Sequence, residues 1–210
     1  MIRALLLAGL LLLTGCAPGQ QPGLPGEAQV DVDTPSLRRV KARIGMEDCR
    51  PGPAEGLVGG PVEGGLPELT LPCLAGGPDV EMSALRGPLV LNLWQSFCGP
   101  CRKEMPALQR FHERYGDQVA VLGIDYQDVR PQAALELARE TGARYPSVAD
   151  PGGDLNGRGA FPLVRGLPYF VLVDAEGAIV HVSAGGVETV AEVVAMVEEH
   201  LDVDLAEEPT

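Results

Sequence analysis

Positive charge is what this chain most lacks. Its 210 residues carry 16 Lys and Arg against 29 Asp and Glu, a formal net charge of −13, and lysine stands only at Lys41 and Lys103. Nucleic acids and anionic membrane surfaces are held by basic patches that neutralise phosphates, so neither is expected as a partner. Long apolar runs are lacking too. The longest, residues 4–13, would rise only about 15 Å as a helix, half of a hydrocarbon core, and cannot span a membrane. Aromatics are scarce at 4%, and the three histidines (His112, His181, His200) show no metal-ligand spacing. No internal repeat is present.

What is there suffices for one domain of common size with chain left over. Apolar residues at 45% and charged ones at 21% give a real core. The abundant Gly and Pro (27 and 19) cluster before residue 90. The opening Met1-Ile2-Arg3 and the apolar run behind it read as a secretory signal over residues 1–15. Its end, Leu13-Thr14-Gly15-Cys16, resembles the bacterial lipobox, in which the cysteine receives lipid and becomes the mature N-terminus. The expectation is a protein on the extracytoplasmic face of the cell membrane, held by lipid on Cys16. Residues 16–45 then serve as a tether with one short helix, and residues 46–66 as a Gly/Pro-rich extension. Residues 67–203 form the folded domain and residues 204–210 a solvated acidic tail.

Apart from Cys16 there are four cysteines, an even number in an exported chain, where disulfides persist. Sequence alone permits three pairings. Cys98 and Cys101 have the C-x-x-C spacing, whose small ring suits reversible redox work. That leaves Cys49 with Cys73 as a structural bridge, closing a loop of about 25 residues and stabilising by roughly 3–4 kcal/mol in the chain-entropy picture. A four-cysteine zinc site is the alternative, disfavoured because Cys49 and Cys73 are not a close pair.

Strand and helix signals alternate along the domain. Thr34 caps a helix with Pro35 in its first turn that ends at Gly45. Strands are expected over residues 69–74 and 80–82, then over 88–94, a near-continuous apolar run of the buried central kind. The run leads into Cys98-Gly99-Pro100-Cys101 and a helix with Met105, Leu108, Phe111 and Tyr115 on one face. A strand over 119–124, a helix over 133–141 and a short segment over 147–150 follow. Strands over 169–173 and 179–183, turning at Glu176-Gly177, precede a last amphipathic helix carrying Val190, Val193, Val194, Val197 and Leu201. The fold class is α/β, with a central mixed β-sheet flanked by helices. Trp94 is expected in the core and His112 on the surface. Asp125 and Asp128, which mimic a pair of acids, fit a loop cap better.

The chemistry resides in Cys98-Gly99-Pro100-Cys101, placed between a buried strand and a helix N-terminus. Unpaired backbone amides and the helix dipole there favour an anion, so the thiolate that attacks disulfides is stabilised. Cys98, nearer the helix start, is the expected nucleophile, and Cys101, one turn in, the resolving thiol. Pro100 loses nothing by lacking an N–H in the first turn.

The run Asn92-Leu93-Trp94-Gln95-Ser96-Phe97-Cys98-Gly99-Pro100-Cys101-Arg102-Lys103-Glu104-Met105-Pro106, with Gly166-Leu167-Pro168 before a strand ending at Asp174, resembles the TlpA/ResA-like thioredoxins. These are membrane-tethered, extracytoplasmic thiol–disulfide oxidoreductases, and the resemblance covers residues 66–201. It implies a thioredoxin fold with an N-terminal extension, and it places Pro168 as the cis-proline facing the dithiol, where substrate backbone pairs. It places Glu104 as the family's carboxylate after the second cysteine, exchanging protons with the resolving thiol. Asn92 stands where thioredoxin itself has a buried aspartate. Pro106 implies a bent helix. Two departures bear on substrate binding. Phe97 replaces the usual Trp before the first cysteine, and Leu167 lacks the hydroxyl that some relatives carry before the cis-proline.

The resemblance implies a reductase of exported protein disulfides, with apocytochrome c a family-level candidate and a membrane electron donor behind it. The alternatives are an oxidase or isomerase of secreted proteins, and a non-catalytic binding module whose C-x-x-C is a static bridge or a copper site. Neither a cofactor nor a metal is expected, and a monomer is the default.

Overall fold

Residues 89–94, Leu-Val-Leu-Asn-Leu-Trp, show no polar–apolar alternation, and a strand of that kind must be covered on both faces. In the computed structural model, which describes residues 30–49 and 59–205, this run is strand β3 (Leu89–Trp94), all six residues buried. The expected signal segment, Cys16 and the acidic end beyond residue 205 lie outside the described residues. So does the Gly/Pro-rich stretch 50–58.

Ahead of β3 come helix α1 (Pro35–Ile44), strands β1 (Thr70–Leu71) and β2 (Val80–Glu81), and a 3-10 turn (Met82–Ala84). After it come α2 (Gly99–Tyr115), β4 (Ala120–Tyr126), α3 (Pro131–Thr141), β5 (Ser147–Asp150), β6 (Tyr169–Val173), β7 (Ile179–Ala184) and α4 (Val190–His200). The main sheet has the order β5-β4-β3-β6-β7, with β3, β4 and β5 parallel and β6 and β7 antiparallel. The sheet is mixed, as the element pattern implies.

Alternation along the strands divides the core cleanly. Val90, Trp94, Val121, Phe170 and Leu172 face one side and meet buried residues of all four helices. Leu89, Leu91, Leu93, Ile124, Val171 and Val173 face the other, covered by Leu66, Leu71, Val80, Met82, Leu155 and Phe161 from the β1–β2 hairpin and loops. Trp94 is fully buried in the helical side.

The caps follow from local chemistry. Thr34 accepts the Leu37 N–H at 3.2 Å, Pro35 opens α1, and Gly45 closes it at φ +72°, a conformation other residues adopt only with strain. Thr189 and Glu192 form a capping box on α4.

Residues 69–74 narrow to the two residues of β1 because Pro72 has no N–H to give. Beyond it the chain pairs with β5, where the Leu74 N–H donates to the Ser147 carbonyl at 2.8 Å. β4 runs on to Tyr126, which makes Asp125 a strand residue rather than part of a loop cap. Its side chain lies on the helical face, opposite Trp94 in register, and is 1% exposed. Asp128 does cap the loop, accepting the N–H groups of Ser96 and Arg130. His112 is largely covered, its Nε2 2.9 Å from Glu47 Oε1, a partner that the sequence places 65 residues away.

Candidate functional site

The C-terminal end of β3 delivers the chain into the first turn of α2. Cys98 is the N-cap residue, and its Sγ accepts the Cys101 N–H at 3.1 Å. Cys98 and Cys101 are joined by a disulfide, their Cα atoms 5.3 Å apart. The two sulfurs differ in access, since Cys98 is half-buried and Cys101 fully buried. Helical geometry imposes this: the cap residue projects from the end, while the residue three on turns inward onto Met105 and Leu108. The amides and dipole that end at Cys98 favour a thiolate there once the bridge is reduced.

Beside Cys98 runs an open groove of about 440 Å³. Phe97, 61% exposed, forms one wall, with the Arg130 guanidinium 4.8 Å above its ring centre. Val164, Arg165, Gly166 and Leu167 form the other. The Leu167–Pro168 peptide is cis, and the Pro168 carbonyl accepts the Gly185 N–H at 3.1 Å.

Glu104, one turn beyond Cys101, has no exposed surface. The Asn92 side-chain amide donates to its Oε1 at 2.7 Å. Burial dominates and pushes its carboxyl up to about 8, against the smaller opposing pull of Asn92 and of the Val187 backbone. A methyl group placed on Gly186 would stand 3.2 Å from Glu104 Oε2 and 3.5 Å from Pro168 Cγ, so the carboxyl reaches the back of the Pro168 loop. The phenol of Tyr145 is raised mainly by burial and then by the charge of Glu104. Asp125 is held well above the usual carboxylate range, first by burial and then by Asp128.

A family model described as the AhpC/TSA family matches residues 62–182. The chain belongs to the AhpC/TSA family. Among curated relatives, it is 32% identical over 113 residues to "Thiol-disulfide oxidoreductase ResA" of Halalkalibacterium halodurans, covering 52% of this chain and 61% of that one. It is 34% identical over 127 residues to "Thiol:disulfide interchange protein DsbE" of Allochromatium vinosum, covering 58% and 66%. The chain thus spans just under two thirds of the length of these relatives. The solved structure of a DsbF homologue from Corynebacterium diphtheriae superimposes with a TM-score of 0.57 at 24% identity, over 74% of this chain and 99% of that one. That likeness shows the thioredoxin-like fold.

Within this AhpC/TSA chain, the structure brings Phe97, Cys98, Leu167 and Pro168 to one end of the sheet, with Cys101 and Glu104 behind them. Cys49 and Cys73 are joined elsewhere, beside the edge strand β5, where Cys73 bridges to Val148. The sequence reading missed Arg165 in the groove, Arg130 over the Phe97 ring and the burial of Asp125. The last had a signal: residue 125 shares strand parity with Val121 and Gly123, whose face the helices cover. Among the described residues no group of three or more His, Cys, Asp or Glu gathers to hold a metal.

Proposed function

We propose that this chain is a membrane-tethered, extracytoplasmic thiol–disulfide oxidoreductase that reduces disulfides of exported proteins. The observation that carries the reading is the asymmetry of the dithiol, with one reachable sulfur at a helix N-terminus and one buried sulfur a turn behind it. The printed names of the ResA and DsbE relatives support the same chemistry. The lipobox-like Leu13-Thr14-Gly15-Cys16 supports the tether. No helix among the described residues is long and apolar enough to cross a membrane.

In the reduced protein, the Cys98 thiolate attacks one sulfur of a substrate disulfide. A Cys98–substrate bond forms, the substrate S–S bond breaks, and the second substrate sulfur leaves as thiolate and takes a proton. Cys101, once deprotonated, attacks Cys98, which closes the bridge and releases the first substrate sulfur. Two electrons pass from the dithiol to the substrate, and a donor dithiol must return them. Glu104 is the group placed to take the Cys101 proton. Residues three apart on a helix lie about 5–6 Å apart at Cβ, and burial raises the Glu104 carboxyl to about 8, which suits it to exchange a proton near neutral pH. Pro168, Leu167 and Phe97 line the ground where substrate backbone and side chains rest.

The test is a Cys101→Ser chain expressed in its native envelope, with captured partners released by reductant and identified by mass spectrometry. Exported proteins held through Cys98 are the expected result. A folded variant that captures none overturns the reading. A reduction potential near thioredoxin's roughly −270 mV supports the reductase direction, and one near −120 mV reverses it.

A further inference from the structure

The groove beside Cys98 carries a charge opposite to that of the protein. The chain has 29 acidic residues against 16 basic ones, yet among the described residues no Asp or Glu lines this groove, Arg165 lines one wall, and Arg130 stands beside the other over the Phe97 ring. Arg165 is exposed, two residues before Leu167. Arg130 lies over the Phe97 ring with its side chain 55% exposed. Among the described residues its acidic neighbour is Asp128, 3.8 Å away, buried, and already accepting the Ser96 and Arg130 backbone N–H groups, and its Nη2 donates to Ser96 Oγ at 3.3 Å. Arg165 therefore offers its donors within the groove, and Arg130 keeps exposed donors at its Phe97 edge. The walls themselves carry apolar surface, Phe97 on one side and Val164 and Leu167 on the other.

We propose that this groove selects disulfides in extended segments that carry an acidic side chain within a few residues of the reacting cysteine, received by Arg165 and Arg130. The inference rests on the reading of Cys98 as the attacking sulfur and names the substrate class of that site. An extended chain advances about 3.3 Å per residue, so a carboxylate two or three residues from the cysteine reaches either wall while the cysteine meets Cys98. Arginine suits this because its planar fork pairs with carboxylate oxygens two at a time. The net charge of −13 does not defeat the attraction. At physiological salt, charges more than about 8 Å away are largely screened, so the two arginines at the site outweigh distant acids during the final approach.

The experiment uses the full chain, reduced and freed of reductant, against three disulfide peptides identical except for Glu, Gln or Lys two residues from the cysteine. Each rate is divided by that of the same peptide with dithiothreitol, because a neighbouring charge changes the reactivity of the disulfide itself. The Glu peptide is expected to react about five-fold faster than the Gln peptide, the size that two exposed ion pairs supply, and the Lys peptide slowest. Arg165→Glu should invert the order, and Arg130→Gln should narrow the spread. Equal normalised rates in the parent chain, or an order unmoved by Arg165→Glu, overturn the proposal. If no peptide reacts with the folded parent chain, the oxidoreductase reading falls first.

Discussion

Replacing Glu104 by Gln should stabilise the protein, and by more as the pH rises. The folded state holds this carboxyl near 8, whereas in the unfolded chain it titrates near its ordinary 4.5. Between those values the folded protein keeps a proton that the unfolded chain has lost, so stability falls as pH rises through the window. The slope is about 1.4 kcal/mol per pH unit for one proton. Gln mimics the protonated acid, still accepts from Asn92, and has no proton to lose. The stability difference between Glu104→Gln and the parent should therefore grow by about 2.5 kcal/mol between about pH 5 and about pH 7. Asp125 adds a slope of its own, but it is present in both proteins and cancels in the difference. Urea unfolding with the disulfides intact, followed by the fluorescence of Trp94, the single tryptophan, reads the quantity directly. Parallel pH profiles for the two proteins would mean that Glu104 is ionised in the folded state, and the argument from burial would fail.

Removing the second bridge, by Cys49→Ser with Cys73→Ser, should cost about 2–5 kcal/mol in the same unfolding assay, since both sulfurs are buried and the bridge spans 24 residues. Phe97→Ala should leave stability within about 0.5 kcal/mol because the ring is exposed. It should slow exchange with a protein disulfide by about two- to five-fold through loss of the groove wall and the Arg130 contact, read by stopped-flow. Cys16→Ala should move the protein from the membrane to the soluble fraction of the cell and abolish its labelling by a radioactive fatty acid. Retention in the membrane would refute the lipid tether.

The parts of this fold that the sequence announces are those decided locally. Six consecutive buried positions make β3, Thr34 with Pro35 and Gly45 bounds α1, and Gly177 sets the turn before β7, all within a few residues of chain. The Cys98–Cys101 pair is legible for the same reason, since spacing and a helix start are local properties. The resemblance pointed to Pro168 and Glu104, but it could not say that Gly186 lies between them or how fully the carboxyl is buried. What stayed hidden depends on distant chain. Arg130 reaches the Phe97 ring only because the chain after β4 returns beside the end of β3, where Asp128 accepts the N–H of Ser96, 32 residues away in sequence. Arg165 joins it only because the chain before β6 doubles back to the dithiol. Asp125 was misplaced because an acid after an apolar run reads as a strand end. Here β4 continues for two more residues and carries the carboxyl inside.

Mild alkylation of the reduced protein with a single equivalent of iodoacetamide at slightly acidic pH, followed by peptide mapping, separates the two sulfurs most simply. The label should fall on Cys98, faster than on a free cysteine in solution, and leave Cys101 unmodified. Label on Cys101, or reaction at Cys98 no faster than that of free cysteine, would contradict the assignment of Cys98 as the nucleophile.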